Sequence, residues 1–257
     1  SPFPFENSLI FSSNREKFVR NRAGNGDELP YYDLYKIPDI NDPKILPFAS
    51  SVNSKAHESS ASLDEKGSKV FFTQHTHQSG DSLEDIAHLK IFYLENNNGK
   101  WKNPHTFVFN DSTSSFAHPF ISRSGKMFFF VSDMKGGMGG TDIYFCMLKD
   151  SLWSAPVNLG PPINTPGNEI YPYLDEQSNT LYFSSDYHPG LGGYDIFKAV
   201  EKDGEFQIQN LKPPVNSSYD DFGLVYNFND SSSAYFVSNR PGGKGLEDIY
   251  KLIFLLK

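Results

Sequence analysis

The sequence predicts an all-β fold, a five-bladed β-propeller of four-stranded antiparallel blades, on three observations. First, one unit recurs. Leu181 to Phe197 reads LYFSSDYHPGLGGYDIF, an apolar strand, a polar turn rich in glycine and a second apolar strand. MFFFVSDMKGGMGGTDIYF at Met127 to Phe145 and AYFVSNRPGGKGLEDIY at Ala234 to Tyr250 keep the same order, and looser copies open at Leu9 and Val70. Second, aligning Phe11, Phe72, Phe130, Phe183 and Phe236 gives spacings of 61, 58, 53 and 53 residues, too long for most helical repeats and suited to a four-stranded blade. Third, aromatic residues make up 15% of the chain beside 20 Gly and 17 Pro, the mix that short strands and tight turns require.

Taken in order, the repeats span about 1–56, 57–115, 116–167, 168–219 and 220–257 of one domain. The first opens with a hairpin, Phe3 and Phe5 alternating with proline, a turn at Glu6-Asn7-Ser8, then LIFSS. A polar insertion from Arg15 to Pro30 delays its next strand to Asp33, and added length costs least in such a turn. The second repeat turns between Asp64 and Ser68 and again at Asn97-Asn98-Gly99 before Trp101. The third shows the whole plan: a hairpin around Arg123-Ser124-Gly125, the glycine turn, a strand to Asp150-Ser151, and an outer strand LWSAPVNL. The linkers GPPINTPGNE, PPVNSSYDD and SSVNSKAHE share a Val-Asn or Ile-Asn step because each blade hands over to the next in one geometry. The fifth repeat shows three strands, so residues preceding Ser1 are expected to complete the ring, in a domain excised from a longer protein.

Strands such as KMFFFV carry aromatic residues on both faces, and a sheet of that kind is stable only when blades pack on both sides of it. A net charge of -8 with a pI near 5.3, and no lysine- or arginine-rich run to offset it, argues against a nucleic-acid partner. Cys146, the single cysteine, lies in an apolar strand as a small core residue. No transmembrane run, signal peptide or lipidation motif occurs, so this domain is not expected to insert into a membrane itself.

Two sets of residues repeat with the blades. The aspartates Asp33, Asp142, Asp195 and Asp248 sit beside the glycine turn with Asp133, Asp186 or Asn239. A calcium loop needs carboxylates near glycines, but seven to nine residues intervene here. The favoured reading is structural, each carboxylate accepting from backbone N–H groups of its turn, with no metal and no cofactor. The second set, His57-Glu58, His118, Asn168-Glu169 and Asp220-Asp221, falls just before the inner strands. Such residues either cap strand ends against the linkers or converge on one channel mouth as a ring that binds a peptide or another polar ligand. A carboxylate pair such as Glu58 and Glu169 also suits a glycosidase. His75 and His77 share one side of a strand without a third ligand, and the basic insertion around Arg15, Lys17, Arg20 and Arg22 is a solvated loop or a partner contact. Neither a nucleophile elbow nor a phosphate-cradling loop is present, so no catalytic residue is assigned.

The phrases FVSDMKGGMGGTDIYF, WSAPVNLGPPINTPGNE, YFSSDYHPGLGGYDIF and YFVSNRPGGKGLEDIY resemble the PD40 (WD40-like, TolB-like) repeats of OmpA-family outer-membrane proteins of Bacteroidota, most specifically over residues 117 to 250. The resemblance implies a non-catalytic protein-interaction propeller in the periplasm, associated with the outer membrane. It implies a protein or peptide partner in the cell envelope, and in some members a part in type IX secretion. Peptidoglycan binding in that family belongs to a flanking domain outside this chain. TolB has six blades, which makes a six-bladed ring the alternative to the five counted here.

Overall fold

The computed structural model describes residues 1–15, 31–42, 44–54, 56–76 and 88–254, and among them there is no helix. The strands fall into five sheets, each starting at the propeller axis and running outward. Blade 1 holds β1 (Phe3–Phe5), β2 (Ser8–Ser13), β3 (Asp33–Ile37) and β4 (Leu46–Pro47). Blade 2 holds β5 (Glu58–Leu63), β6 (Lys69–Thr76), β7 (His88–Asn97) and β8 (Lys100–Thr106). Blade 3 holds β9 (Phe116–Ile121), β10 (Met127–Ser132), β11 (Asp142–Lys149) and an outer strand in two pieces, β12 (Leu152–Trp153) and β13 (Val157–Asn158). Blade 4 holds β14 (Glu169–Asp175), β15 (Thr180–Ser185), β16 (Asp195–Lys202) and β17 (Glu205–Asn210). Blade 5 has three strands among the described residues, β18 (Asp221–Asn227), β19 (Asp230–Ser238) and β20 (Asp248–Ile253).

The count is five blades, which decides against the six-bladed alternative, and all strand pairs are antiparallel. The innermost strands touch in a closed cycle: β1 meets β5, β5 meets β9, β9 meets β14, β14 meets β18, and β18 returns to β1. One departure from the sequence reading is the outer strand of blade 3, which breaks around Pro156 because proline has no N–H for the ladder.

The consecutive aromatics serve two interblade cores at once. In β10, Phe129 and Val131 point into the large core shared round the ring, while Phe128 and Phe130 point into a second core with Phe116 of β9 and with Phe71 and Phe107 from the side of the preceding blade. Each ring buried there contributes about 2 kcal/mol of apolar transfer free energy, which is why isolated sheets of this composition need neighbours.

Every inner strand from β5 to β18 carries the same bulge. Ser60, His118, Tyr171 and Gly223 have φ of 47°, 51°, 53° and 66°, and the pairing registers shift at those points. Two inner residues there face one on the next strand, and that one is Phe72, Phe130, Phe183 or Phe236. The pairing of Phe3 with Ile10 puts Ser1 at the matching place in blade 1. A bulge bends the strand and turns its following residues, so it decides which inner side chains reach the axis.

Candidate functional site

The turn aspartates close their own loops. Asp195 Oδ2 accepts from the N–H groups of Leu191 at 2.6 Å and Gly192 at 3.0 Å, and Asp248 Oδ2 from Lys244 at 2.8 Å and Gly245 at 3.0 Å. Asp142 Oδ2 takes the N–H of Met138 at 2.5 Å and the Asn158 amide at 3.1 Å. Asp33 is buried at the start of β3, and the turn before it lies outside the described residues. Glycine five residues before the aspartate is required by contact: a Cβ on Gly137, Gly190 or Gly243 would lie 2.2, 2.0 or 1.9 Å from the carboxylate oxygen.

The linkers repeat a second device. Asn53, Asn110, Asn164 and Asn216 each hold the backbone of a third-strand residue in the blade just completed, accepting its N–H and donating to its C=O. The residues gripped are Leu34, Ile91, Ile143 and Ile196, with distances between 2.7 and 3.2 Å. Five residues beyond three of these asparagines come Glu58, Glu169 and Asp221, all fully buried. Glu169 accepts from Thr165 N at 2.7 Å, Thr165 Oγ1 at 2.6 Å and Ser185 Oγ at 2.7 Å. Asp221 accepts from Ser217 N at 2.6 Å, Ser217 Oγ at 2.7 Å and Arg240 Nη2. Glu58 accepts from Ser54 N at 3.1 Å and Gln74 Nε2 at 2.8 Å. Burial raises the pKa of Glu58 and Glu169, against the opposing pull of these hydrogen bonds.

These carboxylates therefore cap the linkers and do not stand at the channel mouth. Only His57, Asn168 and Asp220, one residue earlier, reach the rim half-exposed, and they staple neighbouring blades. His57 Nδ1 accepts the Tyr32 N–H at 3.1 Å, Asp220 accepts the Tyr194 N–H at 2.9 Å, and Asn168 Oδ1 accepts from Thr141 Oγ1 at 3.3 Å. The next backbone N–H, of Glu58, Glu169 or Asp221, donates to the carbonyl of Tyr32, Thr141 or Tyr194. The sequence did hold a signal for this: Val/Ile-Asn-Ser/Thr followed by an acid after three residues recurs at 52–58, 163–169 and 215–221. The link between blades 2 and 3 departs from it. Phe116 replaces the acid, and Lys90, standing where the others have the turn aspartate, donates to the carbonyls of Asp111 and Ser114.

His118 belongs to neither group. It sits at the bulge of β9, in the channel waist with Ser1, Ser60, Tyr171 and Gly223, where the free volume is about 30 Å³, room for roughly one or two waters. Its ring stacks on Tyr171 with centroids 3.8 Å apart. Burial, then the nearby Ser1 amino group, lowers its pKa from 6.5 to about 3. The folded imidazole is thus neutral, whereas the unfolded chain takes up a proton below pH 6.5, so stability from this group is full above that pH and lost as pH falls toward 3. His118→Phe keeps a stacked ring with nothing to protonate. It is expected to lose less stability than the wild type between about pH 7.5 and about pH 4.5 in urea unfolding; parallel losses would refute the assignment.

The remaining candidates do not gather. His75 lies beside His57, ring centroids 5.9 Å apart, and His77 lies outside the described residues. No group of three or more His, Cys, Asp or Glu is placed to hold a metal among the described residues. Lys17, Arg20 and Arg22 are also outside them, while Arg15 is described. Cys146 is buried, and burial pushes its thiol up to about 12.

Among the described residues, a cleft opens at each end of the channel. One, of about 670 Å³, lies at the hairpin end of the channel among Arg123, Asp175, Glu176, Tyr182, Tyr226 and Phe228. The other, of about 620 Å³, lies at the glycine-turn end between blade 5 and blade 1, among Asn14, Arg15, Tyr32, His57, Gly245 and Ile249.

Solved structures share this architecture. TolB from Acinetobacter baumannii aligns with a TM-score of 0.52 at 14% identity, over 98% of this chain and 52% of that one. Bacteroides ovatus xyloglucan PUL GH43B gives 0.56 at 13% identity, over 98% and 51%. A xylan β-1,4-xylosidase from Bacillus halodurans C-125 gives 0.54 at 13%, over 98% and 51%. The chain spans about half the length of these proteins, and at such identities the likeness establishes a TolB-like propeller fold alone. No family model and no curated protein matches the sequence.

Proposed function

We propose that this propeller is a non-catalytic docking module that binds a protein partner in the cell envelope. The observation that carries the reading is the commitment of Glu58, Glu169 and Asp221 to the linkers. Buried carboxylates holding two or three donors each cannot serve as the acid and base of a hydrolase at the mouth, while an open cleft remains beside it. The repeat resemblance and the TolB-like fold support a place in the periplasm, at the inner face of the outer membrane, within an OmpA-family protein similar to PorE of the type IX secretion system. A photo-crosslinking residue at Leu246, on the rim of the cleft between blades 5 and 1, is expected to capture an envelope protein in cells. The same probe at Leu152, on the outer edge of blade 3, is expected to capture none. Equal capture from both, or none from Leu246, would reject the docking reading.

A second reading rests on the hairpin-end cleft, where Tyr173, Tyr182, Tyr226 and Phe228 meet Asp175, Glu176 and Arg123. Aromatic faces beside carboxylates suit a glycan. Binding to a glycan panel that is lost in Tyr226→Ala would favour this reading, and turnover lost in Asp175→Asn would make the protein an enzyme.

A further inference from the structure

The glycine-turn face of blades 3 and 4 exposes large apolar side chains that the fold does not need. Met138, Tyr187, Leu191 and Tyr219 are 42%, 59%, 46% and 44% exposed. Each stands where another blade carries a different kind of residue. The N–H that closes a glycine turn on its aspartate belongs to Met138 in blade 3, Leu191 in blade 4 and Lys244 in blade 5, so the turn asks for the N–H alone. Four residues beyond the aligned phenylalanines, Tyr187 corresponds to Arg15, Thr76, Met134 and Arg240. Two residues before the linker acid, Tyr219 corresponds to Ala56 and Gly167. Closing the ring therefore does not explain these four side chains.

Backbone packing joins the four into one arc. The blade 3 turn lies on the linker to blade 4: Gly140 N–H donates to the Gly167 carbonyl at 2.8 Å, and a Cβ on Gly139 would fall 2.3 Å from that same oxygen. Gly167 lies in turn against Tyr187, whose Cβ is 2.5 Å from where its own would stand. The turn that carries Leu191 meets Tyr219 in the same way, Gly192 abutting the Tyr219 backbone and Tyr194 N–H donating to Asp220 at 2.9 Å. The arc from Met138 to Tyr219 is thus continuous and held in place by the fold itself, which spares a partner the cost of ordering it. Apolar surface gathered in this way, rather than scattered, marks a contact site.

The charge along the arc says what would cover it. Residues 150–197 contain six acids and no lysine or arginine. Among those acids Asp186 is exposed beside Tyr187, and Asp220, beside Tyr219, is half-exposed. Asp186 accepts from Asn168, and Asp220 from Tyr194 and Asn239, but neither has a cation within ion-pair distance among the described residues. Their charges converge on Tyr194, whose pKa is pushed up to about 12 by burial, then by the Asp186 carboxylate, with Asp220 adding to it. The exposed bases nearest in sequence are Lys135 and Lys212. Unneutralised carboxylates beside exposed tyrosine rings are complementary to a base, since a guanidinium or ammonium lies on an aromatic face and pairs with a carboxylate at its edge.

We propose that this arc is the contact surface for a partner protein that presents arginine or lysine between large apolar side chains. The partner's apolar groups cover Met138 and Leu191, and its cations lie over Tyr187 and Tyr219 against Asp186 and Asp220. This rests on the docking reading above and names the chemistry of its partner.

The probe is a synthetic octapeptide in which arginine alternates with tryptophan and leucine, set against the same peptide with glutamate for each arginine. Each is titrated into the 257-residue protein isotope-labelled at its four methionine methyl groups, Met127, Met134, Met138 and Met147, and followed by NMR. Saturable binding of the arginine peptide alone is expected, with the Met138 methyl shifting and that of Met147, exposed on β11, unmoved. The repeat itself supplies replacements that the fold accepts. Tyr187→Thr, Leu191→Lys and Tyr219→Ala together are expected to weaken binding roughly tenfold or more while leaving Tm within about 4 °C. Leu191→Lys alone, expected to weaken binding roughly threefold, takes the place of the triple variant if the latter unfolds. Absence of saturable binding, equal binding of the glutamate peptide, an equal shift at Met147, or undiminished affinity in the variants overturns the surface. Any of these with capture retained at Leu246 removes the surface and leaves the docking reading standing, whereas loss of both removes the docking reading as well.

Discussion

Asp221→Ala is expected to destabilise the protein by about 3 kcal/mol, because removing one partner of a buried ion pair strands the other, and to lower Tm by about 9 °C in a chain of this size. Asp221 is fully buried, and it holds Ser217 N, Ser217 Oγ and the Arg240 guanidinium at once. Without it, the Arg240 side chain, 21% exposed, keeps the carbonyls of Pro214 and Val215, the Ser238 hydroxyl and its place over Phe236 and Tyr250. The linker N–H of Ser217 loses its acceptor as well, and an orphaned buried donor adds about 1 to 3 kcal/mol if water cannot reach it. A double-mutant cycle with Arg240→Met separates the pair from the linker cap. The expected coupling between the two sites is about 1 kcal/mol or more; additive losses in thermal and urea unfolding would show that the ion pair does not contribute as described.

Gly192→Ala is expected to cost about 3 kcal/mol or more, at the upper end of what overpacking a rigid interior produces. Its Cβ would lie 1.9 Å from the carbonyl oxygen of Tyr219, 2.7 Å from the carbon and 2.8 Å from the nitrogen. All three are backbone atoms of the segment that joins blade 4 to blade 5, so relief requires the blades to part. Gly245→Ala places the same methyl at the same point of the repeat, with its nearest contact at 3.3 Å. Its cost is expected to stay within about 0.5 kcal/mol. Neither glycine has a positive φ, so the comparison isolates contact from backbone strain. Equal losses in the two variants, measured by differential scanning calorimetry, would show that the neighbouring segment is not what excludes a side chain at Gly192.

Much of this architecture is legible in the chain. The aligned phenylalanines from Phe11 to Phe236 mark the second strand of each blade, since runs such as MFFFVS are apolar on both faces and suit only a doubly covered strand. The spacing of Gly137 to Asp142, Gly190 to Asp195 and Gly243 to Asp248 is local, so the loop-closing role of those aspartates follows from a few consecutive residues. The pre-strand set was harder. Glu58, Glu169 and Asp221 read as linker caps or as a polar ring, and His118 falls in the same pre-strand set although it lies two residues further along its repeat. Alternation along a strand predicts sides only while the pleat is regular. A bulge at Ser60, His118, Tyr171 and Gly223 adds one residue to each inner strand, and nothing in side chains as different as serine, tyrosine and glycine announces it.

By itself the sequence determined the repeat, the number of blades, the aromatic interblade cores and the glycine turns, because each depends on contacts within one repeat or between identical neighbours. Tertiary structure alone decided that the carboxylates turn into the linkers and that the waist is nearly shut. The first depends on the backbone path each linker takes into the next inner strand, and the second on how the inner strands meet when the ring closes, which brings β1 against β18 more than two hundred positions later.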